Sequence, residues 1–131
     1  VDDDNRCQYL MGDDGIVDQA LWAQSQAFLR NDTKNLLMVE YDDIVDQPDE
    51  TMRRIYDFLE VDYYKHDFNN VINTHRESEK QWNLKDMHHV RKQVKRTSKR
   101  PEDVLSPRIL NKYKKLEYWK YPDSPYFEQY G

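Results

Sequence analysis

Leu36-Leu37-Met38-Val39-Glu40-Tyr41-Asp42-Asp43-Ile44-Val45, followed from Pro48 by Asp49-Glu50-Thr51-Met52-Arg53-Arg54-Ile55-Tyr56-Asp57-Phe58-Leu59, decides how this chain is read. An apolar run, an acidic cluster and a Pro-started amphipathic segment follow one another, the order of a strand-to-helix unit. Continuous apolar residues ending in polar ones suit a strand buried on both faces, as in a parallel sheet. One such strand is expected over about 36–41, within an α/β fold that is otherwise mostly helix and loop. Ligands of such sheets bind beyond the carboxyl ends of the strands, where Tyr41, Asp42 and Asp43 would stand. Pro48 suits a first helical position, and Met52, Ile55, Tyr56 and Leu59 recur at the spacing of one helix face.

Before this unit, Val17, Ala20, Leu21, Ala27 and Phe28 predict a helix from Ile16 to about Arg30, with Asp14 or Asp18 placed to favour its dipole. Asn31 to Asn35 reads as a polar turn, and Val1 to Met11 has little periodicity and is expected to fray. After Val61 the aromatic residues lack a steady period and Asn73 to Asn83 is polar, which predicts a long loop organised by buried rings. A short helix is expected over Leu84 to Val90, then a basic loop, then a last helix started by Ser106-Pro107 with Ile109, Leu110, Tyr113 and Leu116 on one face. The tail, 121–131, is expected to be extended, and with no internal repeat the chain 1–131 reads as a single domain.

A chain of 131 residues can bury a modest core, yet 34% of it is charged and only 37% hydrophobic. The apolar run 36–39 is therefore expected to need partner strands that this sequence does not supply. The single Cys7 excludes an internal disulfide and favours a reducing compartment, so a cytoplasmic location is expected. No run approaches the ~18 apolar residues of a membrane span. The net charge of −5 is unevenly spread: Asp2, Asp3, Asp4, Asp13, Asp14 and Asp18 make the beginning acidic, whereas Lys85, Arg91, Lys92, Lys95, Arg96, Lys99 and Arg100 form a basic segment. An anion-binding role and a solvated charged face both fit such a segment.

Several blocks of this sequence resemble the later half of sulfotransferases that use 3′-phosphoadenosine 5′-phosphosulfate (PAPS). Val39-Glu40-Tyr41-Asp42-Asp43-Ile44-Val45, the helix end Ile55-Tyr56-Asp57-Phe58-Leu59 and His66-Asp67-Phe68 are similar to one block of that family. His88-His89-Val90-Arg91 and Ser98-Lys99-Arg100-Pro101-Glu102-Asp103-Val104-Leu105 resemble the His-x-Val-Arg and Ser-x-x-Pro-Glu-Asp/Glu-Val-Leu runs of bacterial-type members, and Leu116-Glu117-Tyr118-Trp119 closes both alike. Order and spacing from about Asp13 to Trp119 carry the resemblance. Lys92 stands where many relatives have proline, and Lys99 where arginine is frequent.

The resemblance implies the carboxyl-terminal portion of a P-loop-like sulfotransferase fold, moving a sulfuryl group from PAPS to a hydroxyl or amine acceptor and leaving adenosine 3′,5′-bisphosphate (PAP). It implies cofactor contacts from Tyr41 beside the adenine, from Arg91 as a fork onto a phosphate, and from His88 as its partner. The family's phosphosulfate loop, rich in Gly, Ser and Thr, has no counterpart here, since Gly12, Gly15 and Gly131 are the only glycines and none lies between a strand and a helix. The loop and the catalytic base are expected upstream, in a missing amino-terminal half or on another protomer, and the start at Val1 fits a fragment. No catalytic residue is therefore assigned within the chain.

Other readings compete for the same residues. Tyr41 could be a core aromatic, and Asp42 with Asp43 suit turn chemistry better than catalysis. Ser98 could touch phosphate or serve as a turn hydroxyl. His66, His75, His88 and His89 lack the helical pairing or Cys partners of a metal set, so no metal is expected. The alternative function is a non-enzymatic module that docks its basic segment 85–100 on nucleic acid or another polyanion, with His88, His89 and Trp82 against bases. The overall acidity makes nucleic acid the weaker expectation, and the acceptor is not legible.

Overall fold

The computed structural model describes residues 2–30, 33–74, 83 and 89–128. The chain divides into two compact units, Val1–Leu36 with Ser98–Gly131, and Leu37–Thr97.

The first unit is built on α1 (Asp3–Met11), α2 (Ile16–Leu29), α5 (Pro107–Tyr113) and α6 (Pro125–Glu128), with single 3-10 turns at Pro101–Asp103 and Lys114–Leu116. The segment expected to fray is helix α1, because Asp2 caps it by accepting from the Asn5 N–H at 2.8 Å and Asp3 and Asp4 favour its positive end. Between α1 and α2 the chain turns through Asp14 at φ 65°, and a Cβ at Gly15 would collide with the Leu10 carbonyl, so that close approach requires glycine. Ser106 caps α5 as expected, its hydroxyl accepting from the Ile109 N–H at 3.4 Å. The core of the described residues holds Ile109, at 0% exposure, and the buried rings of Tyr118 and Tyr126, whose centroids lie 6.0 Å apart edge to face. Part of the tail expected to be extended forms α6.

The second unit holds α3 (Tyr41–Asp46) and α4 (Pro48–Phe58). Pro48 opens α4 as its sequence position suggests. Thr51, 3% exposed, joins the two helices: its hydroxyl is shared between the Asp43 and Gln47 carbonyls, each at 2.8 Å. Glu60 at φ 56° ends α4 and lets the Val61 N–H return to the Tyr56 carbonyl at 3.2 Å.

The expected parallel strand over 36–41 is corrected. Residues 36–40 are extended but lie in no strand, Tyr41 is the first residue of α3, and the described residues contain no strand at all. A strand needs neighbours to receive its backbone groups. Here the Met38 carbonyl accepts from Arg54 Nη2 at 3.2 Å instead, and Leu36 is 44% exposed. Asp42 and Asp43 then favour a helix N-terminus rather than the end of a strand. The expectation of mostly helix and loop holds. Of the short helix expected over Leu84 to Val90, residues 84–88 lie outside the described residues, while His89 and Val90 are not helical. No helix among the described residues is long and apolar enough to cross a membrane.

Candidate functional site

The basic loop is positioned by a relay of contacts that starts on α4. The Tyr56 hydroxyl meets His66 Nε2 at 3.0 Å, and the His66 ring stands 5.7 Å from that of Phe68. A neighbouring brace holds the same loop: the Tyr63 hydroxyl donates to Asp49 at 2.5 Å, and the Arg53 guanidinium lies 4.1 Å over the Tyr63 ring. Hydrogen bonding from Tyr63, and then from Arg53, holds the Asp49 carboxyl below its ordinary pKa. Asp67 next closes a turn, its carboxylate accepting from the Asn69 N–H at 3.0 Å, which places Asn69 at the surface. Two backbone bonds dock the basic segment on this turn, Val71 N–H to the Lys92 carbonyl and Val94 N–H to the Phe68 carbonyl, each at 2.8 Å.

These contacts create an open cleft of about 440 Å³ lined by Asn69, His89, Arg91, Lys92, Gln93 and Lys95. Among the described residues, every lining side chain can donate a hydrogen bond, three carry fixed positive charge, and none is a carboxylate. Among the described residues none of Arg91, Lys92 and Lys95 has a carboxylate partner. Such a donor set suits a phosphate or sulfate group, with Arg91 able to fork onto two oxygens and the lysines acting as point charges.

Arg96 belongs to the same run but is employed differently. Its Nη2 donates to Asp42 Oδ1 at 2.8 Å and to Asp46 Oδ2 at 3.0 Å, one turn apart on α3. Its guanidinium lies 5.7 Å from the Tyr41 ring centroid, and its side chain is only 20% exposed. Hydrogen bonding to Asp42, and then to Asp46, raises its pKa further.

Of the residues implied by resemblance, Arg91 lies in the cleft. Tyr41 lies outside its lining, 48% exposed at the start of α3, and His88 is outside the described residues. The cleft adds His89, Lys92, Lys95, Asn69 and Gln93, none of which was assigned to the cofactor from sequence. The two lysines had a signal in the basic run, and Asn69 had one in the Asp67-x-Asn69 turn pattern. Among the described residues no group of three His, Cys, Asp or Glu side chains could hold a metal ion.

The matched segment runs from the start of α2 through α4 to the Asp67 turn. Residues 15–67 match the model of the Sulfotransferase family. This sulfotransferase-type segment contains Tyr41 and the residues that support the cleft, while the basic lining from His89 onward lies beyond it. The match supports a function of the sulfotransferase type in broad terms. No curated protein and no solved structure matches the chain.

Proposed function

We propose that this chain is the carboxyl-terminal portion of a PAPS-dependent sulfotransferase and that its cleft takes an anionic end of the nucleotide. The observation that carries the reading is the sulfotransferase segment at 15–67, which ends two residues before Asn69 at the cleft. The donors of the cleft fit a phosphate of PAPS or PAP, since all of them can point hydrogen to oxygen and no carboxylate stands among the described lining residues. Arg91 would grip that group and Lys92 and Lys95 would neutralise it. His88 is proposed as a further donor, and Tyr41 as a ring beside the adenine. When bound, PAPS supplies the sulfuryl group, and a hydroxyl or amine acceptor receives it.

In this reading the residues of the cleft bind and orient, and no acceptor base is assigned among them. The phosphosulfate loop and the base are assigned to another segment of the protein or to a partner chain. The extended segment 36–40 would join a P-loop-like α/β sheet through that segment. A cytoplasmic location accords with the single Cys7 and with this nucleotide.

Calorimetric titration with PAP tests the reading. Saturable binding that is weakened by Arg91→Ala and that prefers PAP to AMP supports it. Binding that grows with polyanion length and ignores the 3′-phosphate would favour a polyanion module instead. The exposed basic lining is what keeps that second reading open, and the net charge of −5 weighs against it.

A further inference from the structure

The four cations in the run 91–96 divide between two tasks. Arg91, Lys92 and Lys95 line the cleft, whereas Arg96 turns toward α3 and bridges Asp42 and Asp46 at 2.8 and 3.0 Å. We propose that Arg96 is a positioning residue: by clamping the basic segment to α3, it fixes the backbone that presents Arg91, Lys92 and Lys95 to a phosphate-bearing ligand. This inference rests on the cleft being an anion site.

Geometry gives the clamp its leverage. Lys95 is next to Arg96, and Val94, two residues before it, is the point where the segment bonds to the Phe68 carbonyl at 2.8 Å. The Lys92 carbonyl is held by Val71 in the same way. The segment is thus attached on one side to the 68–71 turn by backbone and on the other to α3 by a side chain. Cleft cations carried on an unattached loop would lose conformational freedom on gripping an anion, and that loss would weaken binding. An attached loop has already lost it. Arg96 reaches both carboxylates through Nη2 while its guanidinium carbon lies 5.7 Å from the Tyr41 ring centroid, a planar group whose size and shape a lysine ammonium does not copy. Arg96 Nε, buried and without a hydrogen-bond partner among the described residues, is the imperfect part of the arrangement.

A charge-only role and a positioning role predict opposite signs in one experiment. The paired change Asp42→Asn with Asp46→Asn removes two negative charges and leaves Arg96 in place. If the basic run acts only through its field, pyrophosphate binds the variant more tightly than the wild-type chain. If Arg96 positions the cleft, pyrophosphate binds it about tenfold more weakly. The probe is pyrophosphate, titrated calorimetrically into the full chain, with far-UV circular dichroism showing that helix content is kept. Arg96→Lys is the second variant; weakened binding with unchanged charge supports positioning, and unchanged binding overturns it. Amide exchange at Val94 gives a readout independent of any ligand. Faster exchange in either variant supports the clamp, and unchanged exchange overturns it. A wild-type chain that fails to bind pyrophosphate would remove the anion-site reading and with it the role in presenting a ligand, while exchange at Val94 still decides whether the clamp exists.

Discussion

The Tyr126 hydroxyl donates to the Asp18 carboxylate at 3.3 Å, tying α6 to the first turn of α2. Tyr126 is 5% exposed. Burial, and then the charge of Asp18, push its pKa from an ordinary 10.0 to about 12. The folded chain therefore holds this proton more tightly than the unfolded chain does. The stability it contributes is complete below pH 10 and falls as pH rises toward about 12. Tyr126→Phe should flatten part of that fall in urea unfolding midpoints. A residual slope should remain, because Tyr63 and Tyr118 are also raised. An unchanged alkaline slope would mean that Tyr126 titrates normally.

Thr51 is the next test, because one hydroxyl serves two carbonyls at the α3–α4 junction. Thr51→Val keeps shape and removes the donor, leaving the Asp43 and Gln47 carbonyls with only their backbone partners, the Gln47 and Thr51 N–H groups. The expected cost is about 1–2 kcal/mol, read as a lower urea midpoint with an unchanged m-value. Thr51→Ser, which retains the hydroxyl, should cost less. Equal losses in the two variants would show that the methyl, not the hydrogen bond, matters.

At acid pH the informative group is Asp4. Hydrogen bonding from Ser106, through its side chain and its backbone N–H at 2.9 Å, lowers the Asp4 pKa, with Arg108 adding attraction at 3.9 Å. A depressed folded pKa contributes stability above the ordinary value of 3.8 that is lost as pH falls below it. Asp4→Asn should therefore narrow the difference between unfolding midpoints measured at neutral pH and at about pH 3. It should not abolish that difference, since Asp49 and Asp123 are lowered as well. A variant as acid-sensitive as the wild type would remove Asp4 from the account.

What could be read from sequence follows from how local each signal is. Helices α2, α4 and α5 announce themselves through apolar spacing and through Pro48 and Ser106 at their starts, all local features. The run 36–40 misleads because an apolar stretch specifies extended backbone, whereas a strand depends on partners elsewhere. Helix α1 is hidden for the opposite reason: its first half is polar and its few apolar residues show no steady period, so only the Asp2 cap and the acidic first turn mark it. In the site, Arg91 and Arg96 look alike in sequence. The carboxylates that separate their roles are 54 and 50 residues from Arg96, beyond the reach of any local pattern.

The cleft makes a prediction about salt. Arg91, Lys92 and Lys95 are exposed, so their attraction for an anion is screened by added ions, and a tenfold rise in ionic strength from about 0.05 M should weaken pyrophosphate binding severalfold. Lys95→Ala should reduce both the affinity and the steepness of its salt dependence, because one cation leaves the lining. Lys115→Ala offers the matched control, since Lys115 is paired with Asp123 in the first unit and does not line the cleft. Calorimetric titrations of the three proteins at several salt concentrations separate a local site from the general field of the chain. A Lys95 variant indistinguishable from the Lys115 variant would mean that pyrophosphate answers to overall charge and not to the cleft.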